Sequence, residues 1–348
     1  MEIQVPELLR IKPKALFKLG KYLSQSGYSR IAFFWGTNIK KMYWDAIDIS
    51  LSTADIRVIF EIEVSSNDMD TAFKTVKELP QNVDAIVAIG GGTAVDYGKY
   101  VAFNRQLPLF CVPTLISNDA FASPTSSLVV DGKRKSVKTH VPQAIIIDTE
   151  VISATPKQFL YSGIGDLFCK TTAVFDYKFA YKKRGEPVND FAATIAKNAV
   201  DTFSFFNDKR FDNYEYIGIL ASSLLMTGIA MIIAGSSRPS SGSEHLISHA
   251  YDRVAQNPTL HGIQVGVASY AVSYLQEATY ERLKKDIIGS GFYDFVKENP
   301  LNKDDFIKAV MLAPDIKEDY YTILSEKGNI RRLEEFVNTD EMMCNMLK

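Results

Sequence analysis

Uninterrupted apolar runs alternate with amphipathic stretches through the first part of the chain. Apolar spacing predicts a helix over residues 14–26, then a buried strand, Ile31-Ala32-Phe33-Phe34-Trp35, that ends on Gly36. A second strand is predicted over residues 57–62, and a helix with apolar positions near a 3.6-residue repeat over residues 68–79. Ala85-Ile86-Val87-Ala88-Ile89 reads as a third strand, stopped by three glycines and followed by a helix from Thr93. Runs at residues 109–113 and 144–148 complete the series. Strands apolar at every position, rather than at alternate ones, are parallel strands covered on both faces. Their alternation with helices predicts an α/β sheet.

From about Pro156 the β-rich runs stop. Helical stretches are predicted over residues 156–181, 188–205, 213–234, 242–254 and 262–277, with breaks at 182–187, at 236–241 and around Asn257-Pro258. Charged amphipathic helices without evident chemistry follow. The fold class is therefore an N-terminal α/β domain, Rossmann-like with a parallel sheet, plus an all-α C-terminal domain. The boundaries are 1–155 for the α/β domain and 156–348 for the all-helical domain. A cleft between them is the expected site. Residues 217–234 carry no charge, but they are at the short end of membrane-spanning length and include Ser222, Ser223, Thr227 and Gly228. With no second candidate span, this segment is expected to be a helix buried on all sides.

Composition narrows the function. In 348 residues, 39 basic and 41 acidic side chains nearly cancel, whereas a nucleic-acid wrapper would carry a basic surplus. Nucleic acid is accordingly not an expected partner. Cys111, Cys169 and Cys344 are odd in number and form no C-x-x-C pair, against a disulfide framework or a thiolate zinc site. The N-terminal stretch lacks the apolar core of a signal peptide, so the cytoplasm is the expected compartment.

Two loops follow strand ends. Residues 84–99 read D-A-I-V-A-I-G-G-G-T-A-V-D-Y-G-K, a strand, three glycines and a helix start. Bare backbone lets a ligand approach, and helix N–H groups favour an anion. It is neither a Walker A nor a G-x-G-x-x-G turn, since Val95 stands at the third glycine position. Residues 113–123 (P-T-L-I-S-N-D-A-F-A-S) bring hydroxyls and Asp119 to the end of the next strand, where α/β sheets bind ligands.

Three of the four histidines fall within seventeen residues: His245, His249 and His261. His245 and His249 are four apart in a helical segment and share a face, and neutral imidazoles favour zinc. The remaining one, His140, lies in a basic run and is expected to face solvent. Periodicity leaves open whether the third ligand is His249 or a distant carboxylate. Asp166, in the loop-like S-G-I-G-D-L, is a candidate for that place.

The ordered set of motifs resembles the dehydroquinate synthase and iron-containing alcohol dehydrogenase superfamily. It comprises residues 90–96 (G-G-G-T-A-V-D), 113–124, 142–149 (P-Q-A-I-I-I-D-T), 163–166 (G-I-G-D), 237–250 (S-R-P-S-S-G-S-E-H-L-I-S-H-A) and 260–266 (L-H-G-I-Q-V-G). Within it the chain is most similar to the sn-glycerol-1-phosphate dehydrogenase family, and S-R-P-x-S-G-x-E-H favours that branch over glycerol dehydrogenase. The resemblance implies a dehydroquinate synthase-like fold and one divalent metal held by Asp166, His245 and His261, with His249 a substrate-contacting neighbour. Zinc is the first expectation, and the same ligands accept nickel or iron. It also implies NAD or NADP bound by Gly90, Gly91, Gly92, Thr93, Asp96, Thr114, Ser117 and Ser123, with Asp119 touching the substrate.

The implied activity is reversible NAD(P)H-linked reduction of dihydroxyacetone phosphate to sn-glycerol 1-phosphate. Arg238, whose planar fork suits phosphate oxygens, is the candidate for the substrate phosphate, and His249 for passing a proton. The expected partner is a small-molecule triose or polyol phosphate, and a homo-oligomer is compatible with such a chain. The competing activities are a glycerol dehydrogenase for free polyols and a dehydroquinate synthase-like cyclase. The cyclase family usually has glutamate at the place of Asp166 and a lysine-rich phosphate pocket, of which Lys133, Arg134, Lys135 and Lys138 are a partial echo.

Overall fold

Residues 4–348 are described in a computed structural model. The chain divides into two compact units, the first running through Ile116 and adding Ala120–Pro156 and Arg210–Leu225. The second comprises Ser117–Asp119, Lys157–Lys209 and Met226–Lys348, so Asp119 belongs to the helical unit.

The first unit is built on strands β1 (Leu8–Lys12), β2 (Arg30–Gly36), β3 (Arg57–Val64), β4 (Ala85–Gly90), β5 (Leu109–Pro113) and β8 (Ala144–Asp148), with β6 (Thr125–Val130) and β7 (Lys133–Lys138) forming a separate antiparallel ribbon. Helices α1 (Leu19–Gln25), α2 (Ile39–Thr53), α3 (Met69–Glu78) and α4 (Gly92–Arg105) connect successive strands, and α5 (Thr149–Ser153) follows β8. The six-stranded sheet runs in the order β1-β8-β5-β4-β2-β3, parallel throughout. Successive residues point to opposite faces. Phe33, Trp35, Val87 and Ile89 therefore pack on α1 and α2, whereas Phe34, Ile86 and Ala88 pack on α3 and α4. Two covered faces are the reason the strand sequences show no polar alternation.

From β2 the chain moves outward to β3, then returns past β2 to build β4 and β5 on the other side. The order reverses between β2 and β4, and such a switch point is where open α/β sheets bind ligands. Gly36 and Gly90 end these neighbouring strands back to back. A Cβ on Gly90 would lie 2.9 Å from the Gly36 Cα, and its φ of +152° is one that side-chain-bearing residues rarely adopt.

The second unit is helical: α6 (Lys157–Arg184), α7 (Asp190–Ser204), α8 (Tyr214–Ala234, shared with the first unit), α9 (Ser243–Val254), α10 (His261–Gln276), and five shorter helices α11 (Tyr280–Gly289), α12 (Phe292–Glu298), α13 (Lys303–Leu312), α14 (Asn329–Thr339) and α15 (Glu341–Met346). Among the described residues α8 alone is long and apolar enough to cross a membrane by length and composition. None of its positions from 216 to 234 is exposed, as in a core helix.

The S-G-I-G-D-L stretch, read as loop-like within the helix predicted over residues 156–181, is regular helix inside α6. Its glycines serve helix packing. A Cβ on Gly165 would lie 2.1 Å from the Gly262 carbonyl oxygen, and one on Gly262 would lie 1.8 Å from the Ser162 carbonyl oxygen. Only bare backbone lets α6 and α10 touch here. The crossing sets Asp166, next to Gly165, beside His261, next to Gly262.

Candidate functional site

In the first unit, Gly91 caps α4 and Gly92 opens it. Nothing lies within 4 Å of a Cβ built on Gly92, and Thr93 beside it is exposed. The turn thus presents open space in front of a helix N-terminus, the setting that favours a pyrophosphate. The Thr114 N–H donates to the Gly90 carbonyl at 2.9 Å and holds the next loop against the turn.

Two of the residues proposed for the cofactor turn inward instead. Asp96 is buried and ion-paired with Lys99 at 2.9 Å. The Ser123 hydroxyl donates to the Thr125 carbonyl at 2.8 Å and accepts from Lys99 at 3.2 Å. Lys99, itself buried, also donates to the Ala120 carbonyl at 2.6 Å. Asp96 and Ser123 therefore brace the loops from within, because the buried lysine needs an anion and acceptors. Lys133, Arg134, Lys135 and Lys138 lie on β7, exposed in the ribbon, and His140 is exposed as expected.

If Gly92 faces a pyrophosphate, Gly92→Asp is expected to raise the NAD(P)H Kd about tenfold or more, some 1.4 kcal/mol. The melting temperature should hold, since the added carboxylate meets open space and a helix N-terminus favours it. Fluorescence titration beside a thermal melt checks both halves. An unchanged Kd would place the cofactor elsewhere.

The second unit gathers Asp166, His245 and His261, with one ligand atom of each within 4.8 Å of the others. Proton bookkeeping fixes what the rings offer. His245 Nδ1 lies 2.9 Å from Glu244 Oε1. Burial pushes the Glu244 carboxyl up to about 7, and it already accepts from the Gly242 N–H at this oxygen and from Thr172 at the other. In its carboxylate form it draws the ring proton to Nδ1 and leaves Nε2 its lone pair. Ser248 Oγ donates its one proton to Gln264 Oε1 at 2.7 Å, and so accepts from His261 Nδ1 at 3.1 Å. Gln264 is oriented in turn by its own amide protons, which go to Asp252 and to the Thr259 carbonyl. Both histidines thus keep Nε2 for a cation, the arrangement metal sites use. Burial lowers the pKa of both rings well below the ordinary value, with Lys170 next in effect at His245 and His245 at His261.

His249 stands apart. Its ring centroid is 6.3 Å from that of His245 and 6.0 Å from that of His261, it is exposed, and it is not in the ligand cluster. A second cluster, Cys169, Glu244 and His245, shares a histidine with the first. Burial holds the Cys169 thiol well above its usual pKa, and a protonated thiol is a poor ligand.

The sequence reading omitted Lys170. It is fully buried, one helical turn beyond Asp166, with Nζ 3.1 Å from Asp166 and 3.2 Å from Asp119. Burial opposes its charge, but the two carboxylates outweigh burial and raise its pKa well above the usual value. The Asp119 N–H donates to Asp166 Oδ2 at 3.0 Å, and Asp119 Oδ2 accepts from Thr227 at 2.9 Å. Ser162 donates to the Ser117 carbonyl at 2.9 Å and accepts from the Gly262 N–H at 3.1 Å, tying the Ser117–Asp119 segment to α6 and α10. Ser117 takes part in this tie through its backbone.

Arg238 is placed differently from the expectation of a free phosphate fork. It is buried, ion-paired through one terminal nitrogen with Glu186, and donates through the other to the Tyr321 carbonyl at 2.7 Å. Its guanidinium carbon lies 3.7 Å from the Tyr320 ring centroid. These contacts use one N–H of each terminal nitrogen and tie the guanidinium to Glu186 and Tyr321.

Fold and cluster together define a nucleotide-linked, metal-dependent alcohol dehydrogenase class. Residues 10–156 match the family model described as iron-containing alcohol dehydrogenase. Glycerol dehydrogenase from Schizosaccharomyces pombe shares the fold, with a TM-score of 0.78 at 18% identity over 99% of this chain and 91% of that one. A sulfoacetaldehyde reductase from Bifidobacterium kashiwanohense, solved in complex with NAD+, does so with a TM-score of 0.72 at 15% identity over 98% and 99%. Similarity in sequence is narrower. Glycerol-1-phosphate dehydrogenase (NAD(P)+) from Aeropyrum pernix is 32% identical over 96% of both chains. The enzyme of that name from Metallosphaera sedula is 33% identical over 94% of this chain and 93% of its own. The chain belongs to the glycerol-1-phosphate dehydrogenase family.

Proposed function

We propose that the protein reversibly reduces dihydroxyacetone phosphate to sn-glycerol 1-phosphate with NADH or NADPH, at a zinc site that also accepts nickel or iron. The observation that carries the reading is the Asp166–His245–His261 cluster, with both Nδ1 protons engaged and both Nε2 atoms left for a cation. These residues fit a divalent ion, since two neutral imidazoles and one carboxylate are a sound zinc donor set. When bound, the ion supplies Lewis-acid polarisation of a carbonyl and the nicotinamide supplies the hydride.

The chain's own residues do the rest. Asp119, fixed by Lys170 and Thr227, presents a carboxylate for a substrate hydroxyl. His249, exposed beside the other two rings, holds or passes the proton of the alcohol at an imidazole nitrogen. Gly90, Gly91 and Gly92 with Thr93 receive the cofactor pyrophosphate, and Thr114 stands beside that turn.

The test compares dihydroxyacetone phosphate with dihydroxyacetone under NADH and under NADPH. Charge-assisted bonds to a phosphate are worth about 1.5–3 kcal/mol each, so kcat/KM should favour the phosphorylated ketone at least tenfold, about 1.4 kcal/mol. Equal or reversed preference would reassign the chain to unphosphorylated polyols. Turnover without net NAD(P)H consumption would reassign it to cyclase-type chemistry.

A further inference from the structure

The phosphate reading needs a cation, and the one the sequence offered, Arg238, is engaged by Glu186. A second cation stands beside it. Lys317 lies in the loop that follows α13, and its Nζ is 3.8 Å from the centroid of the same Tyr320 ring that Arg238 covers. Tyr320 donates its hydroxyl proton to the Ser241 carbonyl, four residues before His245. Lys317 thus stands on a ring that is hydrogen-bonded to the segment leading into α9, the helix that carries His245.

Lys317 is exposed, and Arg238 lies on the same ring. Among the described residues no carboxylate forms an ion pair with Lys317, whereas Arg238 has Glu186. Partial burial, then the Arg238 charge, push its pKa below the usual lysine value. A solvent-accessible ammonium kept next to another cation, without an anion of its own, gains most from an anionic ligand. The ligand must also be short. In dihydroxyacetone phosphate only a methylene and an ester oxygen separate the carbonyl carbon from phosphorus, so its phosphate must bind close to the metal ligands.

We propose that Lys317 is the cation that recognises the substrate phosphate and sets the preference for a phosphorylated over a free triose. Arg238 is then a positioning residue, holding Tyr320 and through it Lys317. The inference rests on dihydroxyacetone phosphate being the substrate.

The experiment measures kcat/KM for dihydroxyacetone phosphate and dihydroxyacetone in the metal-loaded wild type, Lys317→Met and Lys317→Arg, together with inhibition by inorganic phosphate and metal content by elemental analysis. In Lys317→Met the ratio of the two kcat/KM values should fall at least tenfold and the phosphate Ki should rise about as much, with metal retained. Lys317→Arg should recover most of the ratio. A wild type with the preference and a Lys317→Met variant that keeps it overturn the proposal while leaving the substrate reading intact. Metal loss in both variants also overturns it, because Lys317 would then be holding the fold. A wild type without the preference overturns the substrate reading itself and the proposal with it, and that outcome is read before any substitution.

Discussion

Alanine at Asp166, His245 or His261 is expected to release the metal and to lower kcat/KM by at least a thousandfold, about 4 kcal/mol, whereas alanine at His249 keeps the metal. A Lewis acid contributes several kcal/mol of charge stabilisation to the reaction. Each of the three residues offers an atom to one cluster, and each is held by groups that would survive the substitution of another. The fold should tolerate replacement of either histidine, whereas Asp166→Ala also takes a carboxylate from buried Lys170 and should lower the melting temperature as well. His249 shares a helix face with His245, as a four-residue spacing requires, yet it sits on the open side, and its loss should reduce activity about 10–100-fold, as for groups near a metal site. Elemental analysis of the four variants, with kcat/KM on the same preparations, decides the ligand set. Retention of metal in the Asp166 variant with its loss in the His249 variant would exchange their roles.

Why the central strands were legible and other elements were not has a physical basis. β2, β4, β5 and β8 are buried on both faces, so their sequences are apolar at nearly every position. β1, at the sheet edge, reads Leu-Leu-Arg-Ile-Lys, is nowhere fully buried and lacks that signature. β7 reads Lys-Arg-Lys-Ser-Val-Lys, and its ladder to β6 is a backbone property that a basic run does not advertise. At Asp166 the signal misled. Glycine in a helix interior costs roughly 1 kcal/mol against alanine, so Gly163 and Gly165 look like a break. The contact of α6 with α10 offsets that cost, and it depends on a helix distant in sequence. The histidine cluster was legible because rare residues recur at short spacing. Glu244 and Gln264, which orient the rings, lie inside the same motifs and were within reach. Lys317 had no such signal, because only the fold carries its loop to Tyr320.

Lys170→Met is expected to destabilise the metal-free protein by about 3–5 kcal/mol, the usual result of removing one partner from a buried ion pair, and to enlarge the stabilisation gained on adding zinc. Lys170 is fully buried and lies within 3.2 Å of both Asp119 and Asp166, and the Asp119 N–H is bonded to the Asp166 carboxylate. With the ammonium gone, two carboxylates held together by the backbone lose their counter-charge. Their repulsion raises the free energy of the metal-free state, and a divalent cation relieves it at once. Wild type lacks that incentive because lysine already compensates the pair. Thermal melts in chelator and in zinc measure both effects on one preparation. The variant should melt several degrees lower than wild type in chelator, and the rise on adding zinc should exceed that of wild type. A zinc-induced rise equal to or smaller than that of wild type would mean that Lys170 does not neutralise the Asp119–Asp166 pair. The kcat/KM of the zinc-loaded variant should still fall, because Asp119 would lose the bond that aims its carboxylate while Thr227 alone continues to hold it.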